Sequence, residues 1–165
     1  MKEREVLNWL GTEIDEVGDD CAVIPFRDTH LILTIDMLWE ETDFPAGITP
    51  YTIGWRAVAV SLSDIAAMGA RPLGVVAALG APEFKEEFLR ESLKGGQDCC
   101  ERVGTRYVGG DLSSHRQLTL TSSALGEAPM PVLRSGAKRG DHVCVTGRLG
   151  RTAAALKFFD RGDYE

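Results

Sequence analysis

The sequence predicts an α/β or α+β chain in which a mixed β-sheet is flanked by helices. Two apolar runs at 21–25 and 30–37 flank a short polar turn, which is the pattern of a β-hairpin. A helix-like segment then follows at 51–68, where Thr49 and Pro50 provide an N-cap and a first-turn proline. Strands and helices that alternate along a chain are typical of these two fold classes.

The other elements follow from apolar periodicity and from glycines and prolines at segment boundaries. Gly95 and Gly96 weaken the helix prediction around them, because each glycine within a helix costs about 1 kcal/mol relative to alanine. A connection rich in proline and glycine covers 127–141. We predict further helices over 2–10, 83–103 and 152–159, and further strands over 72–79, 105–108, 117–125 and 142–146.

The connection divides the chain into two unequal parts. We expect one domain over residues 1–130, followed by a linker and the start of an incomplete second domain over residues 131–165. One strand and one helix cannot bury a core by themselves. These two elements either dock onto the first domain or mark an early stop within a second one. We expect the early stop, and we expect residues 137–165 to be mobile if nothing covers their apolar side.

Composition restricts the partners and the compartment. The 18 Lys and Arg residues against 25 Asp and Glu residues give a net charge of −7, which disfavours non-specific binding to nucleic acid or to an anionic membrane. No apolar run approaches the ~18–20 residues of a membrane helix, and the charged N-terminus lacks the apolar centre of a signal peptide. The four cysteines contain no C-x-x-C pair, so we expect free thiols in a cytoplasmic protein.

The common motifs of serine hydrolases and P-loop proteins are missing from the sequence. It contains neither a G-x-S-x-G elbow nor a G-x-x-x-x-G-K-[ST] loop. The three histidines, His30, His115 and His142, have no spacing typical of metal ligands. The chemistry is therefore expected from other residue types, of which the aspartates are the most informative.

Four aspartates lie at predicted element ends beside residues that should be buried. An acid next to the core is costly unless a partner compensates its charge. A single such aspartate is usually a cap or turn residue, and that interpretation fits Asp19 and Asp141 best. Carboxylates that converge would suit Mg²⁺, which bridges carboxylates and substrate phosphates. The four candidates are Asp20, Asp36, Asp64 and Asp111.

Two further features indicate phosphate binding. Gly109 and Gly110 directly precede Asp111, and glycines let phosphate oxygens approach backbone N–H groups. Arg134 lies in the stretch L-R-S-G-A-K, where its guanidinium could bind phosphates through two hydrogen bonds. A simple turn at the glycines and a solvated linker arginine are the alternatives.

An ordered set of motifs runs along most of the chain. The motifs are G-D-D-C-A-V, T-I-D-M-L, G-W-R-A-V-A-V-S-L-S-D-I-A-A-M-G-A-R-P, G-G-D-L-S, R-S-G-A-K-R-G-D and V-T-G-R-L-G. This set resembles the thiamine-monophosphate kinase family, which is part of the ATP-binding superfamily of aminoimidazole-ribonucleotide (AIR) synthetase. The resemblance extends from about residue 18 to residue 156, and the long helix motif and the R-S-G-A-K stretch are its most selective parts.

The resemblance implies a fold, a reaction and a set of ligands. The implied fold is an AIR-synthase-like N-terminal domain that pairs with a second copy into a β-barrel homodimer, with the active site in the groove between protomers and domains. The implied reaction transfers the γ-phosphoryl group of ATP to thiamine monophosphate and needs no general base. The resemblance places Mg²⁺ ligands at Asp20, Thr34, Asp36, Asp64 and Asp111, and ATP contacts at Gly110, Asp111 and Arg134.

The sequence departs from the family pattern in two places. Asp43 stands where many members have a histidine in contact with substrate, so Asp43 is a candidate substrate-binding residue, with a loop-capping role as the alternative. The C-terminal domain, which in the family supplies another metal-binding aspartate and most of the thiamine pocket, is almost wholly absent. We therefore expect little or no kinase activity from this chain alone.

Three other functions stay open on the sequence. The chain could be part of another ATP-using enzyme of the same superfamily, or a non-catalytic module for dimerisation or nucleotide binding. A metal-dependent hydrolase would share the aspartates but not the phosphate-contacting pattern around Arg134.

Overall fold

The computed structural model describes residues 2–15 and 17–160. In it, helices and strands alternate along the chain as the sequence predicts. The long central helix begins at Pro50, and the Thr49 hydroxyl caps it by accepting a hydrogen bond from the backbone N–H of Thr52 at 3.2 Å. The elements are α1 (Glu3–Glu13), β1 (Ala22–Phe26), β2 (Thr29–Trp39), α2 (Glu40–Asp43), α3 (Pro50–Ala67), β3 (Arg71–Ala81), α4 (Glu86–Arg102), β4 (Tyr107–Ser114), β5 (Thr119–Ala128), a 3₁₀ turn (Arg134–Gly136) and α5 (Arg151–Asp160).

Five strands form one mixed sheet in the order β1-β2-β5-β3-β4. The pairs β1–β2, β2–β5 and β3–β5 are antiparallel, whereas β3 and β4 are parallel. A parallel pair requires a crossover connection, which α4 provides. The predicted mixed sheet with flanking helices is confirmed by this topology.

Helices α3 and α4 pack together on one face of the sheet, and the core lies between the helices and that face. Ile32 on β2, Ile65 on α3 and Val75 on β3 have no exposed surface at all. Burial of such side chains contributes roughly 1.5–3 kcal/mol each, so this layer is the main stabilising contact of the chain.

Two glycines allow the backbones of α3 and α4 to come into contact. A Cβ atom at Gly54 would lie 1.8 Å from the carbonyl oxygen of Ser92, and one at Gly95 would lie 2.0 Å from the carbonyl oxygen of Tyr51. Only glycine fits at either position. The helix at 83–103 therefore forms despite its internal glycines because the packing requires a residue without a side chain at Gly95.

The opposite face of the sheet, here called the open face, carries apolar side chains that no described helix covers. Ile35 is 71% exposed and Met37 is 68% exposed, although both lie near the centre of the long strand β2. Strand register places the other members of this face beside them. The large apolar side chains that are exposed on the open face are Ile24, Phe26, Leu33, Ile35, Met37 and Val76.

Two element predictions are wrong. The strand expected at 105–108 continues through the glycines and Asp111 to Ser114, because Gly110 pairs with Ala77 of β3 and the ladder extends the strand. The strand expected at 142–146 is absent from the described residues. None of the strands that the structure describes pairs with this segment, and a strand without a hydrogen-bonded ladder is not stable.

The chain beyond β5 packs against little of the domain. All side chains from 132 to 158 are exposed, although α5 forms close to the predicted range. Residues 161–165, the last of the segment predicted to be mobile, lie outside the described residues. Among the helices described, none has the length and apolarity of a membrane span.

Candidate functional site

Three of the predicted metal ligands come together where β2 meets α3. Thr34 and Asp36 alternate with the exposed residues of β2, so both side chains point to the helix-covered face. Asp64 lies near the end of α3, and its carboxylate accepts a 2.8 Å hydrogen bond from the Thr34 hydroxyl. The pairing of strand and helix therefore places two carboxylates and one hydroxyl at a single junction.

Two buried serines connect Asp36 to the core through hydrogen bonds. The Ser61 hydroxyl lies 3.1 Å from the Asp36 carboxylate and 2.6 Å from the hydroxyl of Ser122, and both serines have almost no exposed surface. Ser61 is on α3 and Ser122 is on β5, directly opposite Asp36 in the ladder. This network fixes the position of the Asp36 carboxylate relative to the core.

The carboxylates at the junction influence each other and a neighbouring thiol. Burial raises the pKa of Asp36, and the charge of Asp64 raises it further, although the hydrogen bond from Ser61 acts in the opposite direction. Burial also raises the pKa of Cys21 to about 11, with added contributions from the Asp64 and Asp20 charges. The junction is therefore a site of concentrated negative charge that a cation would relieve.

Asp20 lies beside this junction but is held by Arg134. The Arg134 guanidinium donates to both oxygens of the Asp20 carboxylate, and the contact from Nε to Oδ2 is 3.3 Å. The backbone N–H of Arg134 donates to the Asp19 carboxylate at 3.2 Å. The 3₁₀ turn that carries Arg134 is thus attached to the segment that precedes β1.

An open cleft connects these groups. Asp20, Asp64 and Arg134 line a space of about 680 Å³, and the remaining wall comes from α1, including Arg4 and Asn8, and from the segment 17–19. This volume lies within the usual range of ligand pockets. No histidine borders this cleft among the described residues.

The donor atoms at the junction are oxygens, the type of ligand that Mg²⁺ prefers. Mg²⁺ is commonly bound through one or two carboxylates, with water and substrate phosphates completing its ligands. Asp36, Asp64 and the Thr34 hydroxyl provide that set. Within residues 2–15 and 17–160, no three acidic, histidine or cysteine side chains converge on one point, in keeping with the engagement of Asp20 by Arg134.

Asp111 lies apart from this junction within one chain. The order of strands separates it from Asp36 by three strand spacings of about 4.8 Å each, or roughly 14 Å. In the ladder Asp111 pairs with Ala78, which pairs with Thr121, which pairs with Met37. Because paired residues point to the same side of a sheet, Asp111 belongs to the open face, opposite to Asp36.

A second cleft of about 710 Å³ borders Gly110 and Asp111. It lies between the edge of the sheet and helices α3 and α4, and its wall is mainly apolar. The closest approach at Gly110 is to protein: a Cβ atom there would lie 1.8 Å from the carbonyl oxygen of Ala77. The apolar lining residues include Val58, Leu79, Leu89, Leu93 and Leu120.

Asp43 ends the short helix α2 and is bound within the protein. Its carboxylate accepts hydrogen bonds from the backbone N–H of Trp39 at 3.2 Å and from the Thr42 hydroxyl at 2.8 Å. It also lies 3.5 Å from the guanidinium of Arg56 on α3. These contacts are those of a capping residue, and the predicted contact with substrate stays a prediction.

Sequence patterns did not identify the two serines that support the site. Ser61 precedes Asp64 by three residues in S-L-S-D, which places both on one face of a helix and was the available signal. Ser122 lies in a strand far along the chain, and only its ladder position opposite Asp36 reveals its role.

Comparison with known proteins gives a consistent result. Residues 18–128 match the family model of AIR synthase related protein, N-terminal domain. The chain is 51% identical to the thiamine-monophosphate kinase of Halobacterium salinarum over 165 residues, and 49% identical to that of Methanospirillum hungatei over 160 residues. These alignments cover 100% and 94% of this chain, but 56% and 55% of the relatives.

A solved structure agrees with the sequence matches. AaThiL complexed with AMPPCP and TMP superposes with a TM-score of 0.93 at 29% identity, over 100% of this chain and 56% of that one. The chain therefore spans little more than half the length of the proteins it matches. On the family match and the shared fold, the chain belongs to the AIR-synthase-related family, in the branch whose curated relatives are named thiamine-monophosphate kinases.

Proposed function

We propose that this chain is the magnesium- and nucleotide-binding half of an enzyme that transfers the γ-phosphoryl group of ATP to thiamine monophosphate. The observation that carries the proposal is the junction of Thr34, Asp36 and Asp64 beside a cleft that also contains Arg134. Oxygen ligands next to a phosphate-binding guanidinium are the parts that phosphoryl transfer requires. The names of the relatives, and the AMPPCP and TMP in the AaThiL structure, support the same reading.

In this proposal each residue has a stated task. Asp36, Asp64 and Thr34 hold magnesium, with Asp20 as a further ligand, and bound magnesium neutralises phosphate charge and aligns the reacting groups. Arg134 contacts the phosphates of ATP through its planar fork of donors. Gly110 and Asp111 supply further ATP contacts from a second copy of the chain, because within one chain Asp111 lies roughly 14 Å from Asp36 and on the opposite face of the sheet.

No residue of this chain is needed as a general base. The attacking oxygen belongs to the phosphate of the substrate and is already anionic, so no proton has to be removed from it. The task of the protein is positioning and charge stabilisation, which are the main sources of catalysis in phosphoryl transfer.

We also propose that two copies of the chain associate through the open face. Its six exposed apolar side chains form the kind of surface that a partner covers. Asp111 lies on that face, away from Asp36, so an assembly that covers the face would let Asp111 act in a groove shared between copies. Asp43 stays a candidate contact for the thiazolium ring, since its carboxylate is the acidic group at the end of α2.

The division of the chain belongs to the proposal as well. Residues 1–130 would form the ligand-binding domain, and residues 131–165 a linker with the start of a second domain. The exposure of every side chain from 132 to 158 supports this division. The free thiols of all four cysteines support a location in the reducing cytoplasm.

The proposal is tested by titrating AMPPCP into the chain by calorimetry, with and without Mg²⁺. We expect binding that depends on Mg²⁺ and that is weakened by Asp111→Asn. Glu101→Gln removes an exposed acid at the end of α4 and serves as the charge-matched control, which should bind like the wild type. An AMPPCP affinity that changes neither with Mg²⁺ nor with the Asp111 substitution would contradict the proposed nucleotide site.

A further inference from the structure

Two residues to which the proposed function gives different ligands are bound to each other in the structure. Asp20 is a candidate magnesium ligand and Arg134 a candidate phosphate ligand. The Arg134 guanidinium donates to both carboxylate oxygens of Asp20 through Nε and Nη2. A two-point contact of this kind is the strongest arrangement an arginine makes with a carboxylate.

The pair cannot persist when both ligands are present. A magnesium ion on the Asp20 carboxylate would compete with the guanidinium for the same oxygens and would repel its positive charge. In turn, an arginine that reaches phosphate oxygens has to give up its two hydrogen bonds to Asp20. The two binding events therefore remove the same contact.

We propose that Arg134 serves as a built-in counter-ion for Asp20 and is released to the nucleotide phosphates when a divalent cation takes its place. The inference rests on the proposed function and adds a coupling to it. Metal binding frees the arginine for the nucleotide, and nucleotide binding frees the carboxylate for the metal. By thermodynamic reciprocity each ligand then raises the affinity for the other by the same factor.

The local structure suits such an exchange. The side chain of Arg134 is 64% exposed, so its movement disturbs no core packing. Its backbone N–H is held separately by the Asp19 carboxylate, at 3.2 Å and 3.3 Å from the two oxygens. The turn can therefore stay attached to the start of the domain while the guanidinium alone changes partner. Asp19 is accordingly a positioning residue for Arg134.

The exchange is tested by measuring the affinity of the chain for Mn²⁺, an EPR-visible substitute for Mg²⁺, without nucleotide. Arg134→Ala should raise that affinity about two- to fivefold, the range expected when an exposed ion pair no longer competes. Circular dichroism should show an unchanged fold, given the exposure of the side chain. An unchanged or lower affinity for Mn²⁺ in this variant overturns the proposal.

Two controls separate the exchange from a general change in charge. Arg4 borders the same cleft, and Arg134 rather than Arg4 forms the ion pair with Asp20. Arg4→Ala should leave the Mn²⁺ affinity within a factor of about 1.5, and a rise equal to that of Arg134→Ala overturns the proposal. In an Asp20→Asn background, Arg134→Ala should lose its effect, since a double-mutant cycle isolates the pair.

Titration of AMPPCP distinguishes failure of the exchange from failure of the proposed function. With Mg²⁺ present, Arg134→Ala should lower the affinity for AMPPCP. Without nucleotide, the same variant should raise the affinity for Mn²⁺, and this opposite pair of changes supports the exchange. If AMPPCP binds the wild type but the variant shows no gain in Mn²⁺ affinity, the exchange is wrong and the proposed function stands. If neither the wild type nor any variant binds AMPPCP, the proposed function is wrong, and so is the release of Arg134 to a nucleotide.

Discussion

Ser61 joins the candidate metal ligands to the core. Its hydroxyl is fully buried and lies within hydrogen-bonding distance of Asp36, of the Ser122 hydroxyl and of the Ser122 carbonyl oxygen. A buried polar network of this kind fixes a carboxylate more firmly than a surface contact, because the alternative partner, water, is excluded. The geometry of the site is therefore set partly from inside the fold.

Ser61→Ala should lower the free energy of unfolding by about 1–2 kcal/mol, because Ser122 and Asp36 lose a hydrogen-bonding partner in a buried setting. Urea denaturation measures the change. Ser63→Ala is the matched control on the same helix: Ser63 is exposed, so its substitution should stay within about 0.5 kcal/mol. Equal effects of the two substitutions would contradict the role given to the buried network.

The three buried cysteines should resist alkylation in the folded chain. Burial and the neighbouring Cys99 raise the pKa of Cys100 to about 11, so its thiol stays protonated at neutral pH. Iodoacetamide at pH 8 should therefore modify Cys144, the exposed cysteine, well before Cys21, Cys99 or Cys100. Mass spectrometry measures the order, and early modification of Cys100 would show that the α3–α4 layer opens readily.

The same shift predicts a loss of stability in alkali. The unfolded chain releases the Cys100 proton near pH 9, whereas the folded chain holds it to about pH 11. The folded state thus binds more protons over this interval, and the free energy of unfolding decreases as the pH rises through it. Urea midpoints at pH 9 and pH 11 measure the effect, and a Cys100→Ala variant should show a smaller decrease.

The packing of α3 on α4 depends on contact between the two backbones. Gly54→Ala should destabilise the chain by about 2–3 kcal/mol, since the new methyl group would overlap the Ser92 carbonyl oxygen and force the helices apart. Gly11→Ala is the control, because Gly11 is also helical but has nothing within 4 Å of its added Cβ. That substitution should stabilise α1 slightly. Thermal unfolding of the two variants measures the difference.

Helix α5 should exchange its amide hydrogens rapidly in the 165-residue chain. Its side chains from Arg151 to Phe158 are all exposed, and an isolated helix of about ten residues is marginal in water. Hydrogen exchange followed by mass spectrometry should show little protection over 151–160, in contrast to strong protection over α3. Strong protection of α5 would mean that another surface covers it.

Local patterns predicted the elements whose signals lie within a few residues of each other. The Thr49-Pro50 cap and the β1–β2 hairpin are examples, because cap and turn chemistry acts at short range. The length of β4 was not predictable in this way, since pairing with β3 carries the strand through two glycines. Partners, rather than propensity, decide where such a strand ends.

The site was predictable only in part for a related reason. Their places at predicted element ends identified Asp36 and Asp64, and the family resemblance added Thr34. The fold brings these three residues together. Their distance from Asp111 depends on β5, the last strand that the structure describes, which inserts between β2 and β3. Nothing near Asp111 in the sequence encodes that insertion, so its separation from Asp36 became visible only with the strand order.

The open face is expected to join two copies of the chain into a dimer. Ile35→Lys places a charge at the centre of this face and should convert a dimer into a monomer, as measured by analytical ultracentrifugation. Val103→Lys is the control, because Val103 is also an exposed apolar residue, 50% accessible, but lies at the end of α4. A wild-type chain that sediments as a monomer at high concentration would contradict association through the open face.

The chain alone is expected to have little or no kinase activity. With ATP, Mg²⁺ and thiamine monophosphate, we expect little or no thiamine diphosphate to form, because the chain spans about 56% of the length of its relatives. Phosphorus NMR of the mixture measures the product directly. Turnover comparable to that of a full-length relative would show that this half alone contains the complete site.

NMR with paramagnetic Mn²⁺ can show whether the junction of β2 and α3 is the cation site. Substoichiometric Mn²⁺ should broaden the amide signals of Thr34, Asp36 and Asp64 first, and Asp64→Asn should abolish that broadening. The competing surface is the exposed acidic group on α4 formed by Glu86, Glu87 and Glu91. Broadening that begins on α4, or that survives in Asp64→Asn, would contradict the assignment of the junction.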